Sequence, residues 1–380
     1  VQTCALPIWY TAMEKLRAFL KRKDIVFSAK RYFIDAMGAM AQGLFCTLLV
    51  GTILNTIGQQ FHIGFLNAAI VTIGTGDGAV HYTIGGLCSA MVGPGMAVAI
   101  ARALNASPLV LFSLIPVGFA TNYMGGAGGP LAVLFVAIVA AEIGKAVSKE
   151  TKIDILVTPI VTVLVGVGFA ALIAAPVGRA ASAVGQAIMW ATELQPFFMG
   201  IIVSVVIGVA LTLPISSAAI CAALGLTGLA GGAAVAGCCA QMIGFAVMSF
   251  PENRWGGLAA QGLGTSMLQM GNIVRNPRVW IPPTLASAIT GPVATCLFRL
   301  EMNGAPVSSG MGTCGLVGQI GVYTGWVSDV ASGAKAAITG MDWLGLVLIS
   351  FVLPAVLTWL IAIPLRKWGW IKDGDLKLDL

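Results

Sequence analysis

Charged residues are scarce in this chain. Only 9% of its 380 residues are Asp, Glu, Lys or Arg, while 58% are hydrophobic and the mean hydropathy is +0.93. Soluble chains carry about 25% charged residues, so the scarcity excludes an ordinary soluble fold. Histidine is limited to His62 and His81, and no metal motif includes either. None of the eight cysteines forms a CxxC pair, so no disulfide framework and no structural zinc are expected. A phosphate-cradling P-loop and a hydrolase elbow are both missing, which argues against an ATP-driven pump or a membrane enzyme. No catalytic residue, metal or cofactor is predicted. The net charge of +6 does not point to nucleic acid, because much of the basic excess lies in the first 31 residues.

What is abundant is apolar sequence interrupted by small residues. Forty-eight glycines fit helices that pack closely or break in lipid. The chain reads as an all-α polytopic membrane protein. Spans are expected at 33–57, 108–123, 131–149, 155–175 and 343–365, each near the ~20 residues that a crossing needs. Residues 65–104 are interrupted by GTGDGAVHYTIGG and predict either two spans or one broken crossing. The total expected is eight to ten spans plus re-entrant elements. Lys15, Arg17, Lys21, Arg22, Lys23, Lys30 and Arg31 at one end and Arg366 and Lys367 at the other predict two cytoplasmic termini. The first eight residues, VQTCALPI, read as translated sequencing adapter, which makes Met13 the expected start. Residues 9–31 predict an amphipathic helix on the cytoplasmic membrane surface, and IKDGDLKLDL a solvated tail.

Polar groups concentrate between Ser249 and Gly321. SFPENRWGG places Glu252, Asn253 and Arg254 beside a proline and two glycines. Gln261, Thr265, Gln269 and Asn272 follow at steps of four, four and three. At ~100° per residue they share one helical face about 80° wide. NGAPVSSGMGTCGLVGQIG then brings Ser308, Ser309 and Thr313. QGLGTSML and SGMGTCGL share a G-x-G-T core, which would suit paired half-helices closing on one site. The expected substrate site is therefore Glu252, Asn253, Arg254, Gln261, Thr265, Gln269, Asn272, Ser308, Ser309 and Thr313. Within it, Glu252, Asn253, Gln261, Thr265 and Thr313 are expected to face one polar cavity. Asp77 and His81 are a candidate proton-coupling pair, since ionisable groups at membrane depth are costly.

KRYFIDAMGAMAQGLF, FPENRWGGLAAQGLGTSMLQMGNIVRNPRVWIPP and NGAPVSSGMGTCGLVGQ, in that order after a basic amphipathic start, resemble the membrane (IIC) subunits of sugar phosphotransferase systems. The resemblance is greatest to the branch of PfoR-type toxin regulators. It implies a homodimer with a scaffold domain, a transport domain carrying two re-entrant hairpins, and elevator-like transport of a sugar. On that basis residues 32–177 are mainly scaffold, 178–195 a connecting arm, 196–367 the transport domain and 368–380 the cytoplasmic tail. A separate soluble IIB protein would supply any phosphorylation, no IIA or IIB domain being fused. The family's second-hairpin glutamate has no match, since NGAPVSSGMGT contains no acid. The leading expectation is transport of a sugar or sugar-like solute across a bacterial inner membrane. The alternatives are a membrane receptor that senses a small solute and a proton-coupled secondary transporter.

Overall fold

The computed structural model describes residues 5–74, 79–192 and 195–378. Helix α1 (Ala5–Arg22) leads into α2 (Arg31–Gln59), a 29-residue helix with widened turns at Arg31–Asp35 and Phe45–Leu49. Next comes a small antiparallel hairpin, β1 (Val71–Ile73) and β2 (Val80–Tyr82). Helices α3 (Ile84–Ala90) and α4 (Val92–Ala103) meet at a 52° bend. Then follow α5 (Pro108–Gly125), α6 (Gly129–Val147) and α7 (Asp154–Thr192). The later part holds α8 (Pro196–Thr212), the short α9 (Ser217–Ala223), α10 (Gly228–Met248), α11 (Phe250–Ala259) and α12 (Met270–Arg275). It closes with α13 (Ile281–Pro292), α14 (Val317–Ala331) and α15 (Gly340–Lys367).

Packing divides these helices into two groups. The first half of α2 lies on α4, and α4 to α7 pack on one another. The second group is built round α10, the most buried of the long apolar helices, which touches α8, α13 and α15. Small residues permit this closeness. A Cβ on Gly232 would lie 1.7 Å from the Leu300 carbonyl oxygen, and one on Gly237 1.9 Å from that of Ser204. α2 runs along the seam between the groups. There Ile34 faces Gly271, Phe45 faces Gly264 and Ile53 faces Gly315.

One end of the first group is tied by charge. Arg31 donates twice to the Asp24 carboxylate, at 3.1 and 2.6 Å, and once to the Leu104 carbonyl at 2.7 Å. Buried Lys145 donates to the backbone of Asp24 and Leu104, and lies 3.0 Å from Glu142. Lys145 thus ties the loops after α1 and α4 to α6.

The structure adds detail to four sequence expectations. Among the described residues, six helices are long and apolar enough to cross a membrane, or seven if the bent α3–α4 pair is one span, against the eight to ten expected. The difference lies in pieces such as α8 and 281–297, which stop at 17 residues. The interruption in 65–104 contains the β1–β2 pair, and the bent α3–α4 helices after it fit the one broken crossing named as an alternative. Of the expected arm 178–195, residues 178–192 continue α7, a 39-residue helix with Pro159 and Pro176 inside it. The C-terminal tail is docked: Ile371 and Leu376 are 2% and 0% exposed and belong to the main core. Ile371 and Leu376 are apolar anchors that the charges of the tail mask in the sequence.

Candidate functional site

The polar stripe begins where α10 turns back. Ser249 ends α10, and α11 is broken at Arg254, an exposed residue with φ +51°. Gln261 lies in a widened turn at Ala260–Gly264 and is fully buried. Its amide donates to Ser249 Oγ at 2.8 Å and to the Gly257 carbonyl at 2.9 Å. Its Oε1 accepts from Gln269 Nε2 at 2.9 Å, and Gln269 Oε1 accepts from Asn272 Nδ2 at 2.8 Å. Each amide oxygen therefore takes one N–H from the next amide along. The second N–H of Gln269 reaches the Leu376 carbonyl at 3.0 Å, and that of Asn272 reaches the Lys377 carbonyl at 2.9 Å. Asn253 joins from α11, donating to the Leu376 carbonyl at 2.7 Å and accepting from Leu378 N at 2.8 Å.

Beside this row lies a cavity of ≈ 420 Å³ between α2, residues 268–275 and the tail. Lys30, Asp35 and Gln42 face it from α2 and the turn before it, Asn272 and Arg275 from α12, and Lys377 from the tail. Gly38 lines it as well, and a Cβ built there meets nothing within 4 Å. No described residue forms an ion pair with Lys30, Asp35 or Arg275. A carboxylate accepts hydroxyl protons, a guanidinium donates, and an amide does both, which is the set that a polyhydroxylated solute needs. The volume falls within the ~300–1,000 Å³ of small-molecule sites.

The other expected residues go elsewhere: Glu252, Thr265, Ser308, Ser309 and Thr313 do not line this cavity. Thr265 is extended (φ −158°, ψ 142°), and its hydroxyl caps the next turn by accepting from Met267 N at 3.2 Å. This breaks the continuous helical face on which the four-residue spacing relied. Glu252 is drawn to Arg366, with Oε1 3.1 Å from the guanidinium and Oε2 buried without a partner. Thr313 donates to Met242 Sδ at 3.5 Å, Ser309 donates to the Pro306 carbonyl at 2.7 Å, and Ser308 is buried under Gly321. His81 sits on the exposed β2, its Nδ1 2.8 Å from Thr72 Oγ1 on β1. Asp77 lies outside the described residues. Asp35, Gln42, Lys30 and Arg275 were not among the expected site residues. The signal available for Asp35 and Gln42 was their position in the first span, on one helical face.

The two G-x-G-T segments do adjoin: Ala260–Gly264 packs on Cys314–Leu316. Two irregular stretches also meet near them. Ser217 Oγ donates to the Gly310 carbonyl at 2.8 Å, and Gly228 and Met302 exchange backbone bonds at 3.1 and 3.0 Å. Non-helical backbone is tolerated at membrane depth when protein covers it.

Six helices long and apolar enough to cross a membrane among the described residues, or seven with the bent pair, define a polytopic membrane protein. The chain belongs to the phosphotransferase system EIIC family, whose model matches residues 34–378. Comparison with curated proteins and with solved structures returns no significant match. Family membership makes the chain a membrane component for sugar transport.

Proposed function

We propose that the chain carries a sugar as the IIC component of a bacterial phosphotransferase system, taking it up in the cavity between α2 and residues 268–275. The observation that carries this reading is the cavity's position: a polar chamber lined by α2, which runs along the seam between the helix groups, by residues 268–275 and by the tail. Residues 32–177 act as scaffold and residues 196–367 as the moving transport domain. Glycine supports such movement, since Gly264, Gly271 and Gly315 present no side chain to Phe45, Ile34 and Ile53 of α2. The broad apolar groove of ≈ 560 Å³ lined by Phe33, Phe135 and Phe169 on the scaffold side suits membrane lipid or the second copy of a homodimer. Lys30, Arg31, Lys145 and Arg275 gather at the end where the tail docks, and this positive charge supports the reading that both termini face the cytoplasm across an inner membrane. A separate IIB protein would reach the solute from that side.

The test is binding of a panel of hexoses and hexitols to purified protein by calorimetry. Asp35→Asn replaces a charged acceptor by a neutral amide, Asn272→Ala removes an amide, and each should weaken binding about ten- to a hundred-fold. His81→Ala should leave it unchanged. Wild-type affinity in both cavity variants would place the sugar elsewhere.

A further inference from the structure

Resting on the cavity reading above, we propose that residues 373–378 are a displaceable stopper, competing with the solute for the tail-facing N–H groups of Asn253, Gln269 and Asn272. These three amides each turn a donor toward the tail, and what they meet is backbone: the carbonyls of Leu376 and Lys377. A backbone carbonyl carries no sequence information, and a sugar hydroxyl oxygen offers the same acceptor. Gly374, Lys377 and Leu378 also line the cavity, so the segment that holds the amides forms one wall of the chamber.

The remaining contacts behave as a latch. Leu376 is fully buried in the core, Asp375 accepts from Asn276 Nδ2 at 2.8 Å, and Asp373 lies 3.3 Å from Arg366. Gln269 is itself fully buried, so withdrawing the tail without a replacement acceptor strands its donor. A buried donor left unpaired is costly, whereas exchanging one acceptor for another is nearly neutral. The tail therefore leaves most readily when a polyhydroxylated ligand arrives, and a ligand binds most weakly while the tail is seated.

The experiment uses the full chain in detergent, with exposed Cys46 and Cys296 replaced by serine and a thiol reporter at Lys377→Cys. Its maleimide labelling rate is measured with and without the hexose panel, and hexose affinity is measured on the chain without the reporter. Leu376→Asp should raise the labelling rate at least tenfold and tighten hexose binding by about tenfold. A saturating hexose should raise labelling of the otherwise unaltered tail. If Leu376→Asp does not fold, Leu376→Ala and a chain ended after Lys372 serve in its place. Hexose affinity unchanged or weakened while the tail is released would overturn the stopper and leave sugar transport standing. If no sugar binds to any of these proteins, the transport reading fails and takes the stopper with it.

Discussion

Gly38 separates the cavity's role from the stability of the helix that lines it. It lies in the regular part of α2, on the cavity wall, and a Cβ there has open space around it. Alanine at this position should stabilise the protein by up to about 1 kcal/mol, the helix-propensity cost of an interior glycine. Phenylalanine should be tolerated by the fold for the same reason, but its ring has to occupy the chamber. A void of ~150 Å³ accommodates one benzene ring. Taking that from ≈ 420 Å³ leaves roughly 270 Å³, below the usual ~300 Å³ floor of small-molecule sites. Hexose uptake into proteoliposomes should therefore be near normal for Gly38→Ala and reduced at least a hundred-fold for Gly38→Phe. Thermal unfolding should show both variants folded. A folded Gly38→Phe that transports at the wild-type rate would show that the solute does not pass through this cavity.

Gly232→Ala should destabilise the second helix group by at least 1–3 kcal/mol, because the new methyl meets the Leu300 carbonyl at 1.7 Å and backbone must move; an unchanged unfolding temperature would contradict that packing. Gln269→Leu removes bonds to Gln261, Asn272 and Leu376 together, and chemical denaturation should report a loss of about 2–4 kcal/mol. The Asp24 carboxyl is lowered to about 2, first by its hydrogen bond to Arg31 and then by that to Asn105. A depressed carboxyl contributes stability that is present above its unfolded value of ~3.9 and lost as pH falls toward about 2. Asp24→Asn should flatten the stability profile in that acid window and leave its shape above about pH 5 unaltered.

Much of the fold is legible in the sequence because a continuous apolar run has few alternatives in lipid. The spans expected at 33–57, 108–123, 131–149, 155–175 and 343–365 all have a helix over them in the structure. The polar stripe is legible in part: Gln261, Gln269 and Asn272 are linked, while Thr265 leaves the face because its backbone is extended. Periodicity assumes an unbroken helix, and the chain turns between Gly264 and Ser266. Two features depend on distant partners that no local pattern reveals. Glu252 is paired across the sequence with Arg366, and the tail is held by Asn253, Gln269 and Asn272. The cavity itself needs residues from 30–42, 268–275 and 374–378 at once.

The most direct measurement of the central claim is uptake of labelled hexoses by the purified chain in proteoliposomes, without any soluble partner and then with a phosphorylated IIB protein enclosed. The account predicts that at least one hexose enters down its gradient, that the enclosed IIB protein traps it as sugar phosphate, and that Asp35→Asn lowers both. Tight sugar binding with no uptake under either condition would contradict transport and indicate a membrane receptor. Uptake that follows an imposed pH gradient and ignores the IIB protein would indicate proton-coupled transport instead.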